Sequence, residues 1–258
     1  MNQNKVVLIS VDGMRPDGFL NCGHPYVDEI LKKAYYTLDA HTVLPSVTLP
    51  CHMSLFHSVP PERHGITTNV YIPQVRPING LFEQLRAAGA QCAMYYGWEP
   101  LRDVARPESL KFAEFIQAYM EEHSDRSLTD RALARIKSSS PDFVFLYMVE
   151  TDEKGGHDNG WMSEEYLKRV SIAVDNIRRV IETCGEDYTI VITADHGGHD
   201  RIHGTNLAED TTIPNLYIGK DFPQGVRFDG GSILDIAPTV AKVMGIPPAP
   251  EWEGKPVI

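Results

Sequence analysis

Five nearly unbroken apolar runs recur along the chain, each bounded by Asp, Gly or Pro. Such runs are too uniform for a strand with one solvent-exposed face and are typical of strands buried on both faces of a parallel sheet. They predict strands at residues 5–11, 91–96, 142–149, 188–194 and 213–219.

Between these runs, apolar residues recur at three- and four-residue spacing, which predicts amphipathic helices. The predicted helices are residues 26–34, 78–89, 128–139, 163–185 and 232–245. Ser163 and Ser232 stand where N-caps belong. Glycines stand where three of the helices should stop, at positions 89, 185 and 245.

The alternation of strands and helices predicts an α/β fold, with a mainly parallel central sheet flanked by helices. No internal repeat or shift in composition divides the chain, so we expect one domain over residues 1–258. Residues 97–127 are the least regular stretch and are predicted to form a small lid or a connection.

Composition and charge narrow the range of partners. With 42% hydrophobic and 23% charged residues, the chain should fold as a globular protein. Its 24 basic and 35 acidic residues give a net charge of −11, which argues against binding to duplex nucleic acid or an anionic membrane. A small anionic substrate stays compatible with this charge if metals or local donors attract it. Nothing in the sequence indicates an oligomeric state.

The termini and cysteines add two expectations. The apolar run nearest the start has only six residues, too few for a secretion signal or a membrane span, and we expect a cytoplasmic protein. The four cysteines form no CxxC pair, so they indicate neither a disulfide framework nor a cysteine zinc site.

Aspartates and histidines collect where three of the apolar runs end. They are Asp12 after the first run, Asp152 and His157 after the third, and Asp195, His196, His199 and His203 after the fourth. Because the carboxyl ends of parallel strands share one edge of a sheet, we expect these side chains to meet in one crevice. A single Asp-Gly after a strand is more often a turn signal than a ligand, but three such clusters exceed what turns require.

Carboxylate oxygens and imidazole nitrogens are natural ligands for zinc or manganese. One tetrahedral site would leave several of these groups unused, whereas two metals about 4 Å apart would use them and recur in phosphoryl chemistry. Asp195 and His196 are adjacent and would point to opposite faces of an extended strand. We expect Gly197 and Gly198 to let the backbone turn so that both side chains reach one edge.

A threonine precedes a predicted helix far from these clusters in the sequence. The stretch TLPCHMSLFHSV, residues 48–59, is typical of the first turns of a helix, with Thr48 as N-cap and Pro50 in the first turn. Thr48 could serve only as a cap. Beside the aspartate clusters, its hydroxyl would also be well placed as a metal-activated nucleophile, since helix-end amides favour an incoming anion.

Five segments carry a family resemblance that extends from residue 5 to the C-terminus. They are VVLISVDGMRPD, PSVTLPCHMSLFHSVPPERHGITTN, TDEKGGHDNG, TADHGGHDRIHGT and ILDIAPTVAKVMGIPPAPEWEGKPV. In this order they resemble the alkaline phosphatase superfamily and, within it, the type I phosphodiesterase / nucleotide pyrophosphatase-phosphodiesterase branch. The second segment matches that family's T-x-P-x-H with a downstream HGI-x-x-N. The resemblance implies a three-layer, alkaline phosphatase-like fold and two divalent metal ions, with zinc expected and manganese as the alternative.

The resemblance also implies roles for individual residues. It assigns one metal to Asp152, His157 and His203, and the other to Asp12, Asp195 and His196, with Thr48 beside the second metal as ligand and nucleophile. Asn69, the last residue of HGI-x-x-N, would donate a hydrogen bond to a phosphoryl oxygen as charge develops. On sequence alone, Asn69 could equally make a local turn.

The remaining histidines are assigned less directly. His199 lies four residues before His203 and is the alternative final ligand, but HGT at position 203 matches the family's last ligand. His52, His57 and His64 match no ligand position, and we expect them on a helix surface or behind the ligands.

The implied reaction is hydrolysis of a small-molecule phosphate ester. Thr48 would attack phosphorus in line, while one metal stabilises the attacking oxygen and the other the leaving oxygen. A phospho-threonine intermediate would form, and water activated at the other metal would release the product.

Three other functions compete with hydrolysis of phosphate esters. A sulfatase needs C/S-x-P-x-R, where this chain has Thr48 and His52. A phosphomutase, an isomerase, shares the metals and the nucleophile but usually carries a sizeable inserted cap domain, for which 258 residues leave little space. A non-catalytic metal-binding protein should have lost a ligand or the nucleophile, and each is present.

The type of ester is inferred from the residues around Thr48. Monoesterases of this superfamily often place an arginine against the phosphate. Arg15 and Arg63 are near in sequence, but no motif ties either to Thr48. Asn69 in place of such an arginine favours a phosphate with one fewer negative charge than a monoester. We therefore expect a phosphodiesterase, with a phosphomonoesterase or a phosphonoacetate hydrolase-like enzyme as alternatives. Four aromatic residues are candidates for a leaving-group pocket or for core packing: Tyr95, Tyr96, Trp98 and Trp161.

Overall fold

The computed structural model describes residues 4–258, so the first three residues of the predicted domain lie outside the described part. Within it, eight strands form one sheet in the order β4-β3-β5-β1-β6-β7-β2-β8. The strands are β1 (Lys5–Val11), β2 (Tyr35–His41), β3 (Cys92–Tyr96), β4 (Phe112–Phe115), β5 (Phe143–Met148), β6 (Tyr188–Thr193), β7 (Thr212–Ile218) and β8 (Val226–Arg227).

The prediction of a mainly parallel sheet is confirmed. All five predicted strands are present, with ends within one residue of the prediction, as β1, β3, β5, β6 and β7. Among the described strands only β7 runs against its neighbours, pairing antiparallel with both β6 and β2. Every residue of β5 and β6 is buried, which is why their sequences read as continuous apolar runs.

Three strands were not predicted, and all lie towards the margins of the sheet. β4 and β8 are the two edges, and β2 is the neighbour of β8. Edge strands are exposed in part, so their sequences mix polar and apolar residues; β4 (FAEF) alternates between half-buried and exposed positions. The irregular stretch 97–127 thus contributes an edge strand, together with 3-10 turns at Glu99–Val104 and Ala118–Met120.

Helices cover both faces of this sheet. They are α1 (Pro16–Asn21), α2 (Tyr26–Lys33), α3 (Thr48–His57), α4 (Pro61–His64), α5 (Leu81–Ala87), α6 (Ser124–Ser139), α7 (Glu164–Cys184), α8 (Ala208–Thr211) and α9 (Ile236–Met244). Helices α1, α2 and α6 pack around α7 on one face, whereas α3, α4, α5 and α9 pack together on the other. The three-layer prediction is therefore confirmed.

The predicted helix ends agree with the structure in part. Ser163 caps α7 by accepting a hydrogen bond from the backbone N–H of Tyr166, and Ser232 caps a 3-10 turn that leads into α9. Helix α5 is shorter than predicted at both ends, and α6 begins four residues earlier than predicted, at Ser124.

Two further expectations concern membrane-spanning segments and cysteines. Across residues 4–258, no helix combines the length and apolar character that crossing a membrane requires. All four cysteines are free in this part of the chain, and three of them are buried, consistent with a packing role.

Candidate active site

Three neighbouring central strands deliver three aspartates to one edge of the sheet. Strands β5, β1 and β6 lie side by side, and Asp152, Asp12 and Asp195 follow their respective carboxyl ends. All three side chains are buried. The crevice expected from the strand-end pattern is present.

Two groups of three residues converge here, each with its candidate ligand atoms within 4.8 Å of one another. One group is Asp152, His157 and His203; the other is Asp12, Asp195 and His196. The imidazole rings of His196 and His203 stack with centroids 3.8 Å apart, so the two groups adjoin. The structure thus brings together the six residues that the resemblance singles out.

The three histidines of these groups share one orientation. Each places Nδ1 within hydrogen-bond distance of a backbone carbonyl: His157 at 2.9 Å from Arg201, His196 at 2.7 Å from Gly197, and His203 at 2.8 Å from Ser46. A carbonyl only accepts hydrogen bonds, so Nδ1 is the donor, and in a neutral imidazole Nε2 then carries the lone pair. In each case Nε2 faces an aspartate, at 3.2 to 3.9 Å. This is the arrangement of metal-ligating histidines.

The carboxylates are electrostatically costly without a cation. Burial, then the charges of Asp195 and Asp152, raise the pKa of Asp12 well above its usual value; burial, then Asp195, does the same to the pKa of Asp152. Burial also acts to raise the pKa of Asp195, but the effects of His196, His52, Asp12 and the Gly13 backbone N–H together outweigh burial, and the pKa is lowered. Within residues 4–258, one oxygen of each aspartate has no hydrogen-bond partner: Asp12 Oδ1, Asp152 Oδ1 and Asp195 Oδ2. Buried oxygens without partners next to the Nε2 atoms of these histidines fit divalent cations.

The two glycines after His196 are required for a different reason from the one expected. Neither has a φ angle in the left-handed region. A Cβ atom on Gly197 would lie 2.0 Å from the carbonyl oxygen of Glu209, and one on Gly198 would lie 2.2 Å from the Trp161 ring. Glycine is needed here because the ligand-bearing loop packs directly against backbone and indole.

His199 lies outside both groups. Its Nδ1 is 2.7 Å from Oδ1 of the buried Asp210, whose other oxygen accepts hydrogen bonds from the backbone N–H and the hydroxyl of Thr205. His199 therefore braces the loop between β6 and α8, whereas His203 directs Nε2 at Asp152.

Thr48 is the first residue of α3, not its N-cap as predicted. The N-cap is Val47, which has extended backbone angles and no side-chain oxygen with which to cap. The Thr48 hydroxyl is consequently not used for capping and lies 3.2 Å from Nε2 of His196. The side chain is only 5% exposed and lies between α3 and the candidate ligand group of Asp12, Asp195 and His196.

Asn69 contacts the same first turn of α3. Its Oδ1 accepts a hydrogen bond from the backbone N–H of Leu49 at 3.0 Å. This bond fixes which end of the amide faces the helix and leaves Nδ2 as a free donor. Residue 69 is exposed, so that donor is accessible to a ligand.

The other histidines of this region are all buried, which excludes the helix-surface alternative for His52, His57 and His64. His52 lies behind Thr48: Nδ1 is 2.8 Å from the Thr48 carbonyl and Nε2 is 3.0 Å from the Ser10 hydroxyl.

The two arginines that no motif ties to Thr48 each pair with an acidic side chain. Arg15 pairs with Asp17 and donates to the carbonyl of Gly198, and Arg63 pairs with Glu253. Neither of these two arginines is therefore tied to Thr48.

Of the four aromatic candidates, Tyr95 and Trp161 are buried and Tyr96 and Trp98 pack against the core. Trp161 also contacts the site, because its ring meets His157 edge-on with centroids 5.3 Å apart. Core packing therefore accounts for most of this set.

Sequence reasoning missed Tyr147, whose hydroxyl donates to Oδ2 of Asp12. It also missed Gly13, whose backbone N–H donates to Asp195 Oδ1 at 3.2 Å and whose missing Cβ leaves room for Asp152. A signal for Tyr147 existed: a phenol in a strand buried on both faces usually finds a hydrogen-bond partner.

Comparison with known proteins identifies the relatives of this chain. The family model described as type I phosphodiesterase / nucleotide pyrophosphatase matches residues 6–239. Murine ectonucleotide pyrophosphatase / phosphodiesterase 5, solved as an inactive threonine-to-alanine variant with AMP, superposes with a TM-score of 0.82 at 14% identity, covering 98% of each chain. A phosphonate monoester hydrolase from Silicibacter pomeroyi gives a TM-score of 0.77 at 15% identity, covering 99% of this chain and 76% of the hydrolase. These likenesses show an alkaline phosphatase-like fold.

Curated relatives in sequence are of another kind. The 2,3-bisphosphoglycerate-independent phosphoglycerate mutase of Rhodopirellula baltica is 28% identical over 144 residues, which make up 53% of this chain and 26% of the mutase. The chain therefore matches about a quarter of the length of that mutase.

Proposed function

The chain belongs to the type I phosphodiesterase / nucleotide pyrophosphatase family, and from that premise we propose that it is a metal-dependent phosphodiesterase with Thr48 as nucleophile. One observation carries the proposal: the Thr48 hydroxyl, free of any capping role, lies 3.2 Å from the lone-pair nitrogen of a histidine in a ready-made group of metal ligands.

We assign two divalent cations to this site, zinc expected and manganese as the alternative. Asp152, His157 and His203 would hold one; Asp12, Asp195 and His196, with Thr48, would hold the other. When bound, such cations supply Lewis-acid stabilisation of negative charge on oxygen and favour the ionised form of a coordinated hydroxyl. The buried carboxylate oxygens without hydrogen-bond partners support this assignment.

The chain's own residues then perform two displacements. Oγ1 of Thr48 forms a bond to phosphorus as the bond to one ester oxygen breaks, and that oxygen leaves as an alcohol. Asn69 donates from Nδ2 to a phosphoryl oxygen as negative charge builds there. Water then attacks the phospho-threonine, releases a phosphomonoester and restores the hydroxyl.

The local charges favour a diester over a monoester. A monoester carries one more negative charge, which is best matched by an arginine, yet Arg15 and Arg63 are engaged with acidic partners. Asn69 is neutral and suits the smaller charge of a diester. The AMP bound to the murine relative makes a nucleotide-derived diester the first substrate to test.

The test is a side-by-side assay of the metal-reconstituted protein on a chromogenic phosphate diester, phosphate monoester, phosphonate monoester and sulfate ester. We expect the highest kcat/KM for the diester. A tenfold preference for the monoester would overturn the choice of a diester, and turnover of none of them would overturn the proposal.

The nucleophile is tested separately in the same assay. Thr48→Ala should reduce kcat by at least about a thousandfold under saturating metal, and Thr48→Ser should be the mildest change at this position. Substantial residual activity in Thr48→Ala would show that another group attacks phosphorus.

A second candidate function is phosphomutase, favoured by the mutase relatives. Mutases must retain the phosphoryl group for return to the substrate, whereas a hydrolase releases it to water. Incubation with 3-phosphoglycerate distinguishes the two: interconversion with 2-phosphoglycerate would support the mutase, and we expect none.

A further inference from the structure

Asn69 is exposed and lies at the end of a loop, so its position depends on what anchors that loop. The loop, Gly65 to Asn69, leaves α4 and returns to the nucleophile helix α3. It is tied to α3 at two points: Asn69 Oδ1 accepts from Leu49 N–H at 3.0 Å, and His64, just before the loop, lies with Nε2 3.0 Å from the Ser54 hydroxyl.

His64 is held in one tautomer by contacts on both ring nitrogens. The backbone N–H of Ile66 donates to Nδ1 at 3.1 Å, so Nδ1 is unprotonated and Nε2–H is the donor to Ser54. Burial, then the nearby His57, lowers the pKa of His64 to about 4, so this neutral form persists at neutral pH.

The backbone supports this arrangement. Gly65 has a φ of 80° and ends α4, which reverses the chain so that both His64 and Ile66 point inwards. His64 is 2% exposed and Ile66 is fully buried, whereas Thr67, Thr68 and Asn69 are exposed. The loop therefore has a fixed base and a free end.

We propose that His64 is a positioning residue for Asn69, with Ser54 as its partner on α3. Because Thr48, Leu49 and Ser54 belong to one helix, both anchors hold Asn69 in the same rigid frame as the nucleophile. Without the contact between His64 and Ser54, only the burial of Ile66 and the hydrogen bond to Leu49 would be left to hold an exposed loop end. A donor displaced by about 1 Å can cost on the order of a hundredfold in rate.

This inference rests on the proposed function, and a double-mutant cycle tests it. In His64→Asn, Oδ1 takes the place of Nδ1 as acceptor for Ile66 N–H, but the shorter side chain has no atom at the position of Nε2, so the donor to Ser54 is lost. We expect kcat on the diester to fall about tenfold to a hundredfold with little change in KM. In an Asn69→Ala background, the same substitution should cost less than about twofold, because the residue it positions is already gone.

Two further variants separate positioning from folding. Ser54→Ala removes only the partner hydroxyl and should show the same coupling to Asn69 with a smaller loss. His57→Asn is the matched control: His57 lies on α3 near His64 and is almost as buried, but its Nδ1 is 3.0 Å from the Met53 carbonyl of its own helix and its ring faces Gly80. It should show no coupling to Asn69. Equal losses from His64→Asn with and without Asn69 would overturn the inference.

A readout independent of activity is hydrogen exchange at the Leu49 amide. That N–H is at the first turn of α3 and has Asn69 Oδ1 as its acceptor, so release of Asn69 should accelerate its exchange. We expect faster Leu49 exchange in His64→Asn than in His57→Asn, and unchanged exchange would overturn the inference. If the wild-type protein turned over no diester, the proposed function would fail, while this measurement would still decide whether His64 holds Asn69.

Discussion

The phenol of Tyr147 on β5 donates a hydrogen bond to Oδ2 of Asp12, the residue that follows the neighbouring strand β1. Both side chains are buried. The bond occupies one carboxylate oxygen and leaves Oδ1 facing Nε2 of His196 at 3.2 Å. Burial, then the charge of Asp12, raises the pKa of Tyr147, so its hydroxyl stays protonated and remains a donor.

Tyr147→Phe should therefore weaken metal binding without removing a ligand. Loss of a group that orients a ligand typically costs 10- to 100-fold in metal affinity. The measurement is competition for zinc against a chelator of known affinity. Tyr217→Phe is the control, because Tyr217 is also buried on a strand and its hydroxyl has no hydrogen-bond partner in the described chain. Equal affinities for the two variants would contradict an orienting role for Tyr147.

The two histidines that the sequence left as alternatives should respond differently to substitution. His203→Ala removes an Nε2 directed at Asp152 and should abolish one of two bound metal equivalents. His199→Ala removes a contact to Asp210 and should leave the metal count near that of the wild type while loosening the loop. Elemental analysis after gel filtration reports the count. A deficit confined to His199→Ala would make His199 the ligand.

The sequence predicted the central strands of the sheet because strands buried on both faces have nearly continuous apolar sequences. Every residue of strands β5 and β6 is buried and none is charged, and the aspartates that follow these strands mark the edge where the candidate ligands meet. The sequence does not indicate the direction of β7, because an apolar run looks the same in a parallel and in an antiparallel strand. Edge strand β4 is too short and too exposed to stand out from its irregular surroundings.

The site was predicted by residue type more than by local geometry. Thr48 was expected to be the N-cap of α3, but Val47 occupies that position. The local sequence does not indicate whether the helix begins at Thr48 or one residue later. Asp152 and His157 lie on a π-helical segment, Thr151–His157, whose five-residue hydrogen-bond spacing is not encoded by any simple pattern. The contact between Tyr147 and Asp12 arises from the pairing of β5 with β1, and these strands are more than a hundred residues apart in the sequence.

Close packing of the ligand loop predicts a stability effect at Gly198. An alanine Cβ would meet the Trp161 ring at 2.2 Å, so Gly198→Ala should lower the free energy of unfolding by about 3 kcal/mol. Gly230→Ala is the comparison: its Cβ would meet nothing within 4 Å, and only its φ of 70° is unfavourable, at about 1 kcal/mol. Urea unfolding followed by tryptophan fluorescence measures both. A larger loss at Gly230 would show that backbone strain dominates over packing.

A buried acidic pair behind the π-helical segment predicts pH-dependent stability. Asp125 accepts hydrogen bonds from the backbone N–H groups of Val149 and Glu150, while its burial, then the charge of Glu150, raises its pKa to about 7. Since the folded pKa lies above the unfolded value, folding takes up a proton between pH 4 and pH 7. The contribution of Asp125 to stability should therefore be greatest near pH 4 and should decline as the pH rises through 7.

Asp125→Asn isolates this contribution, because asparagine does not titrate. The variant should be less stable than the wild type at pH 4.5, since its amide can accept only one of the two backbone hydrogen bonds. The gap should narrow as the pH rises to 8, because the wild type then loses the stability that depends on its proton. Urea unfolding of both metal-free proteins at several pH values measures the gap, and chelator in every sample keeps metal release from adding to it. A gap that stays constant from pH 4.5 to pH 8 would mean that Asp125 is ionised throughout this range, with its two backbone donors outweighing burial.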